Sequence, residues 1–158
     1  MRIGVIDNYD SFVFNLVRYV REIEGVTVEV FRNDAVDYTT LNECDGILLS
    51  PGPGIPSEAG DLMKVIAQYH ASKPLLGVCL GHQAIAEFYG AKLTQLASPV
   101  HGKSSLISHN GSTLFNNLPE TVPVGRYHSW NVEFTDETSE LNSTCLLYTS
   151  PSPRDRYI

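Results

Sequence analysis

The stretch Pro74-Leu75-Leu76-Gly77-Val78-Cys79-Leu80-Gly81-His82-Gln83 sets a cysteine between two glycines, Gly77 and Gly81, each two residues away. That spacing is the Gly-x-nucleophile-x-Gly pattern of a nucleophile elbow, a strand that turns sharply into a helix with a reactive side chain at the corner. Glycine suits both flanks because a side chain there would crowd the strand-to-helix crossing. The nucleophile itself is expected in a strained backbone conformation. A thiol at a helix N-terminus feels the positive end of the helix dipole, which favours thiolate over thiol. The Leu80 N–H then points where an oxyanion would form. The chemistry in view is attack of a sulfur nucleophile on an acyl carbon.

A second loop is expected to stand beside this corner. Ser50-Pro51-Gly52-Pro53-Gly54-Ile55-Pro56 follows an apolar run at Gly46 to Leu49. The prolines carry no N–H, so Gly52 and Gly54 are the donors of the Pro51–Gly54 segment. Leu80 N–H with a glycine N–H would make a two-donor oxyanion hole, in which one donor is worth about 2.7–4 kcal/mol of barrier. Proline and glycine mark any loop, so this stretch gains meaning only from its place next to the elbow.

The elements that must position these groups are legible in the apolar spacing. Strands are expected at Arg2–Ile6, Thr27–Phe31, Gly46–Ser50 and Leu75–Val78. Helices are expected at about Ser11–Glu24, Ala59–Ala71 and His82–Tyr89, with a short one near Tyr38–Asn42. Val13, Leu16, Val17 and Val20 form the buried stripe of the first helix, and Leu62, Val65, Ile66 and Tyr69 that of the third. The order predicts an α/β fold, a mostly parallel sheet with helices on both faces. In such a sheet chemistry gathers at the carboxyl ends of the strands, where Cys79 and the Gly52 loop both fall. Past Ala91, short strands at Lys92–Leu96, Lys103–Ser108, Thr121–Tyr127 and Trp130–Phe134 suggest an antiparallel extension of the same sheet. Asn110-Gly111 is expected as a hairpin turn.

Composition bounds the partners. A chain of 158 residues with 42% apolar and 18% charged residues is ordinary for one soluble domain. The net charge of −7 argues against a nucleic-acid partner or an anionic membrane surface. No apolar run approaches the roughly 18–20 residues of a membrane span. The first residues read as a strand rather than a signal peptide. Cys44, Cys79 and Cys145 make neither a disulfide framework nor a zinc pattern. These features suggest a cytoplasmic setting and no metal or cofactor.

Gly77-Val78-Cys79-Leu80-Gly81-His82-Gln83 resembles the nucleophile motif of class I glutamine amidotransferases, and Ser50-Pro51-Gly52-Pro53-Gly54 resembles that family's oxyanion loop. Asp7-Asn8-Tyr9-Asp10-Ser11-Phe12, His101-Gly102-Lys103, Ser108-His109-Asn110-Gly111 and Arg126-Tyr127-His128-Ser129 are similar to the glutaminase components of anthranilate synthase and aminodeoxychorismate synthase. The resemblance covers about residues 1–134. It implies a flavodoxin-like domain that hydrolyses L-glutamine and passes ammonia to a chorismate-using synthase subunit. It implies Cys79 as nucleophile and the backbone N–H groups of Leu80 and Gly52 as oxyanion donors. It further implies Gly52, Pro53, Gly54, Gln83, Ser129 and Trp130 around the substrate. Trp130 stands where the family pattern has leucine, a change that a backbone contact tolerates.

A cysteine of this kind needs a base and a group to orient it, which the family supplies from a His-Pro-Glu-Ser motif. None of the five histidines, 70, 82, 101, 109 and 128, precedes Pro-Glu. The expectation is an amidotransferase domain over residues 1–144, incomplete at its C-terminus, followed by a tail over 145–158 that does not continue the pattern. A chain of this extent is expected to have little or no glutaminase activity. His82 is expected to pack rather than to act as the base, and Cys44 to be structural. Two other readings stay open at this level: a non-catalytic subunit that docks on a synthase, and another cysteine hydrolase on a similar elbow.

Overall fold

The computed structural model describes residues 1–111, 113–135 and 140–148. They form two compact units, Met1–Phe88 and the chain from Tyr89 onward.

The first unit is built on a four-stranded parallel sheet in the order β2-β1-β3-β4, from β1 (Arg2–Asp7), β2 (Thr27–Arg32), β3 (Gly46–Leu49) and β4 (Leu75–Gly77). Four helices connect the strands: α1 (Val13–Arg21), α2 (Tyr38–Asn42), α3 (Leu62–Tyr69) and α4 (Leu80–Phe88), with a 3₁₀ turn over Pro56–Glu58. Alternate residues of the central strands face two different cores, as the two-residue period of a strand requires. Val5 and Leu48 pack with Val13 and Val17 of α1 on one face. Ile6, Ile47 and Leu49 pack on the other with Leu41 of α2, Leu62, Val65, Ile66 and Tyr69 of α3, and Leu80 and Ala84 of α4. Both expected helical stripes are therefore the ones that bury. In α1, Val13 and Val17 are sealed while Leu16 and Val20 are half-buried against the same cluster. In the turn before α1, Asp10 Oδ1 accepts from Phe12 N–H at 2.8 Å, but the N-cap is Phe12 itself and no polar side chain caps the helix.

The second unit holds the antiparallel strands, and here the structure differs from the expectation of an extended single sheet. β5 (Lys92–His109), β6 (Thr121–Glu133) and β7 (Cys145–Tyr148) hydrogen-bond among themselves in a three-stranded sheet of order β6-β5-β7. The four short strands expected from the sequence are two long ones. Their ladder shifts register between Gln95 and Val100 and between His101 and Lys103, and these breaks made each strand read as two. Asn110-Gly111 does not close a tight hairpin. Residues 110–120 connect the strands through a short 3₁₀ turn at Thr113–Phe115. His109 organises the connection: its ring stacks on Phe115 at 4.6 Å, Nε2 meets the Pro119 carbonyl at 2.7 Å, and Nδ1 accepts from Gly111 N–H at 3.2 Å. Cys145–Tyr148, expected to begin the unpatterned tail, pairs with Leu106–His109 as an edge strand. The Ser-Pro-Ser-Pro run after it lies outside the described residues. Among the described residues no helix is long and apolar enough to cross a membrane.

The tightest packing in the first unit is where β4 crosses into α4. A Cβ on Gly81 would strike the Leu49 backbone oxygen and lie 2.7 Å from its carbonyl carbon. Backbone cannot swing aside as a side-chain tip can, so Gly81→Ala is expected to lower unfolding free energy by about 3 kcal/mol, the upper end of overpacking costs. Gly25, by contrast, has a positive φ, +74°, and open space around it. Gly25→Ala should cost only the left-handed backbone penalty, about 1 kcal/mol. Urea unfolding of the two variants checks this; equal losses would mean the crossing is not the constraint.

Candidate active site

Cys79 stands at the corner the glycine spacing predicts. Its φ is +52°, in the left-handed region that side chains rarely adopt. Its carbonyl accepts the first helical hydrogen bond of α4, from Gln83 N–H at 2.9 Å. Val78 N–H donates to the Leu49 carbonyl at 3.0 Å and Gly81 N–H to the Val78 carbonyl at 3.1 Å, so the turn is pinned on both sides. A Cβ on Gly77 would overlap the carbonyl of Gly81. Both glycines are thus required by space. Cys79 is exposed as a residue, while Leu80 beside it is sealed in the core.

The thiol does not carry the depressed pKa that the helix dipole suggests. Desolvation by the surrounding protein pushes it above the ordinary thiol value, and the charge of Asp10 adds to the rise. Against these, the adjacent Leu80 backbone N–H favours the thiolate. Among the described residues, no imidazole is one of the groups that move it. His82, one turn along α4, is itself pushed below the ordinary histidine value by burial, so it is neutral near pH 7.

The glycine loop lies against the elbow. A Cβ built on Gly52 would come within 2.6 Å of the Leu80 side chain and 2.5 Å of the Asn8 Cβ. Gly52 therefore packs between the end of β1 and the residue after the nucleophile, and only glycine fits. Gly54 has φ +75°, and Pro53 and Gly54 are exposed at the rim. Gln83 is buried one turn into α4, directly after the elbow. Of the expected site residues, Cys79, Leu80, Gly52 and Gln83 are thus gathered where β1 and β3 part company. The chain leaves β1 for β2 on one side and returns to β3 on the other, the switch point at which α/β sheets bind ligands.

Ser129 and Trp130 belong to β6 in the second unit. Trp130 pairs with Gln95, whereas Ser129 falls in the register break and has no partner in the β5–β6 ladder. His128 bonds the backbone here. Its Nδ1 lies 3.0 Å from the Trp130 carbonyl and its Nε2 accepts from Arg126 Nε–H at 3.1 Å. A carbonyl can only accept, so the proton sits on Nδ1. His101 and Lys103 are exposed on β5.

Sequence reasoning missed a buried polar group behind the glycine loop. Asn8, Ser50 and Asn33 end β1, β3 and β2, and all are buried. Asn8 N–H donates to Ser50 Oγ at 2.9 Å, and Asn8 Nδ2 to the Ser50 carbonyl at 2.9 Å. Asn33 Nδ2 donates to Asn8 Oδ1 at 3.0 Å, and Ser50 Oγ donates to the Pro51 carbonyl at 2.8 Å. The available signal was a small polar residue just past three strands in succession; read singly, each resembled a turn residue.

Comparison with known proteins agrees with this geometry. Residues 4–150 match the family Glutamine amidotransferase class-I. The anthranilate synthase component II of Haloarcula marismortui is 46% identical over 142 residues, covering 89% of this chain and 73% of that protein. The aminodeoxychorismate synthase component 2 of Escherichia coli is 48% identical over 134 residues, covering 82% of this chain and 70% of that protein. The crystal structure of a glutamine amidotransferase from Thermotoga maritima superposes with a TM-score of 0.71 at 15% identity, over 99% of this chain and 69% of that one, a likeness of fold. On the match across residues 4–150, this chain belongs to the class I glutamine amidotransferase family.

Proposed function

We propose that the chain is the glutaminase subunit of a chorismate-using synthase, cytoplasmic, hydrolysing L-glutamine to glutamate and supplying ammonia to its partner. The observation that carries this is Cys79 at φ +52° at the start of α4, with Gly52 packed against Leu80. The relatives named component II of anthranilate and of aminodeoxychorismate synthase support the assignment of substrate and partner. A non-catalytic docking subunit would have no use for a strained cysteine held by two glycines that only fit as glycines.

In this reading Cys79 thiolate attacks the carboxamide carbon of glutamine. The C=O π electrons move onto oxygen, and the tetrahedral oxyanion accepts from Leu80 N–H and Gly52 N–H. The amide nitrogen takes a proton from solvent water, its bond to carbon breaks as the C=O re-forms, and ammonia leaves a γ-glutamyl thioester on Cys79. Water adds to that carbonyl through a second oxyanion at the same donors, and the thiolate departs with release of glutamate. Pro53 and Gly54 shape the rim, and Gln83, one turn after the nucleophile, holds the amino-acid end. The steps use protein groups and water alone.

Two outcomes test this. Cys79→Ser in the protein assembled with its synthase partner should abolish glutamine-dependent synthesis, a loss of at least about 10³-fold. Ammonia-dependent synthesis should stay within about twofold; loss of both would contradict the role. The second outcome follows from the direction of the Cys79 shift. A raised thiol pKa means less thiolate at neutral pH than in an ordinary cysteine, with reactivity gained as pH rises through the shifted value. Iodoacetamide labelling of Cys79, followed by peptide mass spectrometry, should keep accelerating beyond pH 9. A plateau below pH 8 would show the dipole winning over desolvation.

A further inference from the structure

We infer that Ser50, braced by Asn8, is the positioning residue that sets the direction of the Gly52 N–H. The inference rests on the glutaminase reading and extends it to groups that never touch substrate. Gly52 N–H and Pro51 C=O belong to one planar trans peptide, so they point in opposite directions. Whatever fixes the carbonyl fixes the N–H. Ser50 Oγ donates to that carbonyl at 2.8 Å. A hydroxyl has one proton, and giving it to Pro51 leaves the Ser50 oxygen as an acceptor, which the Asn8 backbone N–H fills at 2.9 Å. Asn8 Nδ2 then holds the preceding carbonyl, that of Ser50, at 2.9 Å, and Asn33 Nδ2 fixes the Asn8 amide at 3.0 Å.

The chain of bonds has one polarity from end to end. Ser50 is fully buried and Asn8 is 1% exposed, so water has little access to replace a lost partner. Rotating the Pro51–Gly52 peptide would break the Ser50 bond and turn the carbonyl oxygen toward the place where the oxyanion must form. Glycine at 52 makes such rotation sterically cheap for the residue itself, since glycine accepts both signs of φ. The hydroxyl supplies the restraint that the missing side chain cannot. Pro51 and Pro53 on either side limit φ of the loop but leave this peptide unrestrained.

The experiment uses the 158-residue chain at pH 9 and two electrophiles. One is a glutamine analogue with a diazoketone in place of the carboxamide, whose ketone oxygen gains charge as the sulfur attacks. The other is iodoacetamide, which needs no oxyanion donor. Ser50→Ala should lower the limiting rate of diazoketone labelling at least about 10-fold, toward the 10²–10³-fold loss of a whole donor. The concentration for half-saturation and the iodoacetamide rate should stay within about twofold. Asn8→Asp keeps the shape but replaces the donor to the Ser50 carbonyl with an acceptor, and should lower the same rate in the same way. A limiting diazoketone rate unchanged in both variants overturns the inference, as does an equal fall for the two electrophiles. A wild-type chain that shows no glutamine-protected diazoketone labelling overturns the glutaminase reading, and this inference with it.

Discussion

The left-handed backbone of Cys79 is the constraint from which the first unit is built outward. A non-glycine residue at φ +52° is held there only if its surroundings leave no alternative. They do so by contact. Leu49 meets Gly81 backbone to backbone on one side, and Gly77 meets the Gly81 carbonyl on the other. Leu49 can serve as that wall because it is fully buried between β1 and β4 and packed under α3 and α4. The strain at one residue is thus secured by the hydrophobic core of the whole unit.

The same core leaves a small polar inclusion, and the two are complementary. Asn8, Ser50 and Asn33 are buried where the ends of three parallel strands diverge and backbone groups lack ladder partners. Burying such side chains is tolerable only when their donors and acceptors are matched, and here they match one another and the loop carbonyls. Surface ion pairs around the unit carry less weight. Arg2 with Glu29 and Glu43, and Lys64 with Asp61, are partly or largely exposed, and such pairs contribute about 0–1 kcal/mol each. Order at the switch point comes from buried geometry rather than from these charges.

How much of this was legible in the sequence depends on whether a feature is local. The stripes of α1 and α3 and the strand runs were readable because period and burial coincide: Val13 with Val17, and Leu62 with Val65, Ile66 and Tyr69, are the residues that seal. The Gly77–Cys79–Gly81 spacing was readable because a tight crossing leaves no other residue choice. The second sheet was misread because a register break looks like a strand end. Leu96 to Pro99 interrupt the alternation of β5 although the strand continues. The Asn110-Gly111 signal was outweighed by His109, whose ring ties the longer connection together. The polar trio was invisible because its bonded pairs are 25 and 42 residues apart and meaningful only as neighbours.

The pKa of Cys79 shows why position at a helix start does not by itself make a thiolate. The dipole of a nine-residue helix acts on the sulfur chiefly through its first N–H groups, and Leu80 N–H is indeed the group that favours the anion. The same packing that creates the corner removes water from the sulfur and brings Asp10 near, and these effects outweigh that one bond. The consequence bears on catalysis. In the resting state the Leu80 N–H faces a neutral thiol sulfur, a weak acceptor. In the proposed reaction the negative charge ends on an oxygen, so over the whole course from neutral thiol to oxyanion this donor would pass from a poor partner to a strong one. An interaction that strengthens along the reaction lowers the barrier, whereas one already strong in the resting state does not. A protonated resting thiol is therefore compatible with an effective oxyanion site, because the donor's full strength is reserved for the charge that appears later.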